Sequence, residues 1–398
     1  MQSRTPNPAL LGVFWLGIQV VWGAVLAISL QARASDVAGH AALSAYGLLA
    51  TCGAAMAGIA QIAAGVFSDR RRLRGSRRIE FYVWGAGVAS VALFWFYLAP
   101  SFAQLLAAFV LLQFAMNVAS GPYQAAIPDF VPQRLLGTAS SWMAALQSVG
   151  NAAGAVIAGL IADVRIVACA ISVLLLSTCA ATVAHVRTLP LLESAPQGRM
   201  QITKAFADLF ASRALVYLGF YTLVGYLYFY VGSKELTGLV LLVFTVAGAL
   251  GAWAGAAPAN TYDRRAVASV GGGAFVAALF AFLISHATAA VFASALLAGA
   301  AWGVFLTADW ALGCGFLPRF ALATAMGIWN LALLIPQIVA PIVATAVLSL
   351  LHALQQHNAP RIAFVVAAAE VTAGIAWIWR LPASSAIPVD SAVTGNTP

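Results

Sequence analysis

The chain reads as an all-α polytopic membrane protein, with twelve transmembrane helices in two six-helix pseudo-repeats. Three observations predict this. Apolar runs of roughly 18 or more residues, each long enough to cross a bilayer, recur from end to end. Charged residues make up 8% of the chain and hydrophobic residues 62%, whereas a soluble domain averages about 25% charged. The basic residues also fall mostly on one side of the implied membrane.

The first six spans run 9–30, 41–66, 79–99, 102–126, 139–162 and 166–186. The second six run 214–232, 236–257, 266–286, 288–312, 321–350 and 361–380. Short polar turns separate them. Arg33 follows span 1. Arg70, Arg71, Arg72, Arg74, Arg77 and Arg78 separate spans 2 and 3, Arg134 spans 4 and 5, and Arg165 spans 5 and 6. Lys234, the pair Arg264 and Arg265, Arg319 and Arg361 separate later spans. The long interior break, 187–213, holds Pro190, Pro196, Gly198 and four basic residues. It divides the chain into an N-terminal bundle (1–186), a cytoplasmic linker (187–213) and a C-terminal bundle (214–380). A disordered cytoplasmic tail (381–398) follows.

With a cytoplasmic N-terminus, sixteen Lys and Arg residues fall inside and four outside. This is the positive-inside pattern, and it predicts a multi-pass protein of a bacterial inner membrane with both termini cytoplasmic. The net charge of +8 is thereby topological, and no aromatic-basic patch suggests nucleic acid. Cys52, Cys169, Cys179 and Cys314 form no CxxC or Cys/His cluster. They read as small buried hydrophobes, without metal or disulfide. The first apolar run is too long for a cleavable signal.

The stretch GVFSDRRRLRGSRR (65–78) concentrates the charge. Gly65 lets a neighbouring helix approach. Asp69 stands at a helix end, where arginines and a facing helix N-terminus favour a carboxylate. Sliding the sequence by 186 residues superposes Arg78 on Arg264, Gly85 on Gly271, Phe94 on Phe280, Pro132 on Pro318 and Thr138 on Thr324. Two like halves of six spans are the plan of one large transporter class.

GVFSDRRRLRGSRR resembles the loop motif of the major facilitator superfamily. Within that superfamily, GPYQAAIPDFVPQRLLGTASS (121–141), DWALGCGFLPRFALATAMGIWNLALLIPQIVAPIVA (309–344) and the opening of span 1 are similar to the glycoside–pentoside–hexuronide:cation symporters and sucrose/proton symporter-like proteins. The resemblance implies a secondary transporter working by alternating access. It assigns Gly65, Asp69, Arg70 and Arg77 or Arg78 to a cytoplasmic latch whose partner is the start of span 11, near 319–325. The second copy, NTYDRR (260–265), lacks the leading glycine pattern, which weakens the case for a second latch.

Ionisable groups inside a membrane are costly and mark function. Asp309 in span 10 and Glu370 in span 12 share their depth with no Lys or Arg, so they are the candidate proton or cation couplers. Hydrogen bonding to a neighbouring helix is the structural alternative for each. A second set is neutral: Gln19, Gln113, Asn117, Gln147, Asn151, Asn330 and Gln337, with Trp22 and Tyr123. Such amides and rings can bond and stack on a hydroxylated solute, or simply join helices. Pro336 and Pro341 are expected to kink span 11. Glycine pairs at 150/154, 251/255 and 299/303 predict close helix packing, and the aromatic run 217–230 reads as a lipid-facing belt.

No HExxH, GxSxG or P-loop motif is present, so neither an enzyme nor an ATP-driven pump is expected, and no cofactor. The predicted partners are a small-molecule substrate such as a sugar or similar polar metabolite, a proton or cation, and the lipid bilayer, with the protein a monomer. Because span 1 offers Gln19 where sucrose-type relatives carry an acid, drug or metabolite export is an alternative. Delivery of a hydrophobic cofactor such as a pigment is another.

Overall fold

The computed structural model describes residues 6–191, 202–231, 234–285, 287–317, 321–350 and 359–383. The described residues are helical, with no strand among them. Eleven helices are long and apolar enough to cross a membrane. Pro8–Ala24, continued through a π-helical turn at Val25–Ser29 into Leu30–Ala38, is the first of twelve crossings.

The spans are in place, and several are longer than hydropathy suggested. Span 2 is Ala42–Arg72, so the first three arginines of the motif form its last turn. There they complement the negative end of the helix dipole. The helix then stops in a Schellman motif. Gly75, at φ 86, donates to Arg72, and Ser76 donates to Arg71; the left-handed position is where a C′ glycine belongs. Span 3 follows at Ile79–Leu98, span 4 at Phe102–Tyr123 with a short helix Ala126–Phe130, span 5 at Leu136–Leu160 and span 6 at Val164–Thr188.

Span 7, Lys204–Val231, starts ten residues before the predicted position. Residues 204–213, which carry Lys204, Asp208 and Arg213, look like linker by hydropathy, yet Asp208, Ser212 and Arg213 are buried. Spans 8 to 12 are Lys234–Ala254 (extended by Ala256–Thr261), Arg264–Ile284, Thr288–Phe316, Leu322–Leu350 and Ala359–Ile378. Span 11 stays a single helix through Pro336 and Pro341. The tail beyond residue 383 and most of the linker, 192–201, lie outside the described residues.

The packing repeats between the halves. Span 1 packs on 5 and 6, span 4 on 2 and 3, and span 3 on 6. In the same order span 7 packs on 11 and 12, span 10 on 8 and 9, and span 9 on 12. Between the halves, span 2 meets 11 and span 5 meets 8, while span 5 meets 10 and span 4 meets 11. Each of these cross-contacts has its counterpart, so the molecule has an internal pseudo-two-fold arrangement.

Glycines allow the closest approaches. A Cβ at Gly150 or Gly154 would strike the carbonyls of Leu16 or Val20 on span 1; one at Gly299 or Gly303 would strike Phe244 or Gly248 on span 8. With lipid as solvent, such backbone contact is a main source of helix association. The aromatic run of span 7 does not form a lipid belt. Phe220 stacks on Trp302 of span 10 at 4.3 Å, and Tyr230 donates to the carbonyls of Phe282 and Ser285 on span 9. Of the cysteines, Cys179 and Cys314 are buried, Cys52 is half-buried, and Cys169 is exposed.

Candidate functional site

The motif folds into a buried ionic junction. Asp69, at the end of span 2, accepts from Arg78 Nη1 at 2.9 Å within its own half. It also reaches the other half, accepting from Ala323 N at 3.0 Å, Thr324 N at 2.8 Å and Thr324 Oγ1 at 2.6 Å. A carboxylate has about four acceptor sites, and all four are used. The donors Ala323 and Thr324 sit in the first turn of span 11, where N–H groups lack helical partners and the dipole favours an anion. Gly65 lies one turn earlier. A Cβ there would come 2.8 Å from the Ala323 carbonyl oxygen.

Arg78 is the centre of the junction. It is 1% exposed and sits in the left-handed region at φ 64, a conformation costly for a non-glycine residue. Its Nη1 also donates to Ser68, and its Nε donates to Asp129 at 2.7 Å. Asp129 pairs with Arg72 as well, at 3.4 Å. Burial opposes the charge on Arg78, but attraction to Asp129 and then to Asp69 outweighs it, holding its pKa above the ordinary arginine value. Arg77 donates instead to the Leu189 carbonyl at 3.3 Å, and Arg70 is exposed without a described partner. Asp129 lies inside the stretch 121–141 but has no spacing that singles it out; only the fold carries it beneath Arg78.

A second junction mirrors the first, and it was not expected. Thr138 N donates to Asn260 Oδ1 at 3.3 Å, and Asn260 Nδ2 donates to Thr138 Oγ1 at 2.6 Å. Thr138 is the residue that superposes on Thr324, so Asn260 occupies the place of Asp69. The close-approach glycine has changed sides: Gly137 abuts Asn260, with a would-be Cβ 2.8 Å from Asn260 N. Arg264, the counterpart of Arg78, crosses to the Gln133 carbonyl at 2.9 Å. Asp263, which carries the apparent repeat of the motif, instead caps span 9 through Arg265 N at 3.0 Å.

Further in, a neutral seam joins the halves. Asn330 Nδ2 donates to Gln61 Oε1 at 3.1 Å, and Trp15 meets Trp310 at 5.9 Å and Trp142 meets Trp253 at 5.5 Å between ring centroids. Gln19 Nε2 donates to Gln147 Oε1 at 3.2 Å, linking spans 1 and 5. Gln61 Nε2 and Gln147 Nε2 are buried without a partner. Trp22 is half-buried, and Asn151 and Gln337 are exposed. The other amides are spent inside the N-terminal half. Asn117 Nδ2 donates to the Gln113 carbonyl at 2.8 Å, and Gln113 lies against Gly53. Tyr123 donates to the Leu11 carbonyl at 2.5 Å among Phe14, Trp15 and Tyr82.

The two intramembrane acids have different surroundings. Asp309 is not alone at its depth: it is ion-paired and hydrogen-bonded to Arg213 of span 7, and both are buried. The guanidinium lies 3.6 Å from the Trp329 ring centroid and 4.9 Å from that of Tyr217, so aromatic faces take up part of its charge. Arg213 reads as linker from sequence, because hydropathy starts span 7 after it. Glu370 Oε2 accepts from Thr222 of span 7 at 2.9 Å, while Oε1 is buried without a partner.

The comparisons agree with this fold. The Major Facilitator Superfamily matches residues 9–341, most of the chain. The chain belongs to this superfamily, whose members are transporters. Among solved structures, the human organic anion transporter MFSD10 (TETRAN) covers 94% of the chain and is itself covered completely, at 14% identity and TM-score 0.70. The proton:xylose symporter XylE, bound to 6-bromo-6-deoxy-D-glucose, is similar over 95% of each chain, at 14% identity and TM-score 0.68. A bacterial homologue of the iron transporter ferroportin in an outward-facing state covers 94% of the chain and is covered over 98% of its own, at 15% identity and TM-score 0.66. At such identities the likeness is one of fold. No curated protein matches significantly. The major facilitator fold accounts for the paired halves.

Proposed function

We propose that this major facilitator protein is a secondary active transporter of a small polar solute, driven by a proton or cation gradient, and a monomer in a bacterial inner membrane. The arginine-rich end faces the cytoplasm, as the positive-inside pattern favours. Of the subgroups, the reading follows the glycoside–pentoside–hexuronide:cation symporters, on the resemblance of 65–78 and 309–344.

One observation carries it. The described hydrogen bonds between the halves lie toward the arginine-rich end: Asp69 to 323 and 324, Asn260 to Thr138, Arg264 to Gln133, and Asn330 to Gln61. Gln61 is eight residues from Asp69, about 12 Å along the helix. The halves are thus clasped at one end, with amides and rings above the clasp, as an outward-facing stage of alternating access requires. The Gly65, Asp69 and Arg78 cluster acts as the latch, and Gln19, Gln147, Asn151, Asn330, Gln337 and Trp22 face the solute path. Asp309 serves the coupling step by binding a proton and releasing Arg213. Glu370 is the second coupling group.

The test is uptake of labelled sugars and related metabolites into proteoliposomes, with and without an imposed pH gradient. Uptake accelerated by an inward proton gradient in the wild type, and insensitive to it in Asp309→Asn, is expected. Gradient-independent uptake by the wild type removes proton coupling from the reading.

A further inference from the structure

A groove of about 280 Å³ lies between spans 3 and 6. Cys179 and Val183 form its buried floor. Its rim is Val83 (52% exposed) and Leu176 (43% exposed). Leu176, Ala180, Ala184 and Arg187 follow helical spacing on one face of span 6, and the two exposed alanines leave the depth.

The groove has a polar end. Arg187 closes it near the terminus of span 6, exposed and with no ion pair among the described residues. Arg77 arrives at the same place by donating to the Leu189 carbonyl, and its own Nε is buried without a partner. From Leu176 to Arg187 the helix rises about 16 Å at 1.5 Å per residue. That is about half of a hydrocarbon core of about 30 Å, the depth of one leaflet. An apolar trough one leaflet deep, ending in two guanidiniums at the headgroup level, matches one lipid of negative charge.

We propose that this groove holds an acyl chain of an anionic phospholipid, with Arg187 and Arg77 on its phosphate. Guanidinium forks suit phosphate oxygens, and each basic residue near an anionic surface strengthens binding about fivefold. Native mass spectrometry of the full-length protein tests it, using phosphatidylglycerol, phosphatidylcholine of the same chains, and inorganic phosphate. Phosphatidylglycerol should be retained preferentially, Arg187→Gln should weaken it about fivefold, and Ala180→Trp, which fills the trough but spares both arginines, should abolish it. Ala184→Leu, a smaller change on the same face, should weaken it. Equal retention of the two lipids, retention undiminished in both groove-filling variants, or displacement by inorganic phosphate would overturn the proposal.

Discussion

At the scale of single residues, the junction depends on a few charges with no substitute. Asp69 serves four donors, and an amide in its place must present a donor to at least one of them. Hydrogen bonds to charged groups contribute about 1.5–3 kcal/mol each, so Asp69→Asn should slow transport roughly tenfold or more, with membrane insertion unchanged. Uptake assays alongside quantification of inserted protein check this; normal uptake would refute the latch. Asp129→Ala removes a carboxylate shared by Arg72 and Arg78. Breaking such a buried pair costs about 3–5 kcal/mol, so thermal unfolding in detergent should occur at a distinctly lower temperature. The sequence makes Asp69 and Arg78 visible because charge is so scarce around them. It leaves Asp129 unmarked because that role depends on the approach of span 4 to a turn fifty residues earlier. Arg213 is hidden for the opposite reason: the charges at 204, 208 and 213 let that stretch pass for linker, and two of the rings that shelter the guanidinium, Trp310 and Trp329, come from spans 10 and 11.

At the scale of elements, the two junctions are built alike and charged differently. The first has a carboxylate against the start of span 11, the second an amide against the start of span 5. Asn260→Asp places an anion beside the Thr138 N–H and Oγ1 and close to Arg264, so the arginine-rich end should stay closed for longer. In a protein with Cys52, Cys169 and Cys179 replaced by serine, alkylation of buried Cys314 should then slow several-fold. An unchanged rate would mean that this junction does not govern opening. Gly137→Val should act in the reverse sense, because its side chain has no room beside Asn260. Hydropathy located every span, since each core is apolar, but misplaced ends wherever polar residues continue a helix, as at 67–72 and 204–213. It also read the aromatic run of span 7 as lipid-facing, because composition alone does not say which neighbour a ring meets.

At the scale of the whole molecule, the repeat is the most legible feature. A slide of 186 residues aligned Arg78 with Arg264 and Thr138 with Thr324; the folded chain uses the two threonines alike, at the starts of spans 5 and 11, whereas Arg78 bonds within its own half and Arg264 crosses to the other. Asn260 escaped that slide because the offset on its helix is five residues larger. The sidedness read from arginine counts yields a direct measurement. An impermeant thiol reagent should reach Arg74→Cys only after cells are permeabilised, and labelling from the outside of intact cells would invert the assignment. The amide set was legible as residue types rather than as a site. Gln19, Gln113, Asn117, Tyr123 and Gln147 look like Asn330 in sequence, and helix rotation alone separates those bonded within one half from the one that bonds across the seam.

The wide turn at Val25–Ser29 has a consequence for how the first helix can evolve. A π-type turn carries an additional residue, and each residue of a helix adds about 100° of rotation. Everything from Leu30 onward is therefore out of phase with the helix below it. That phase brings Arg33 to the Ala99 carbonyl at 2.5 Å, at the far end of span 3. Deleting a single residue here would shorten the crossing by little more than an ångström, yet swing Arg33 to a different side. Angular register, more than reach across the bilayer, is what the start of this chain has to preserve.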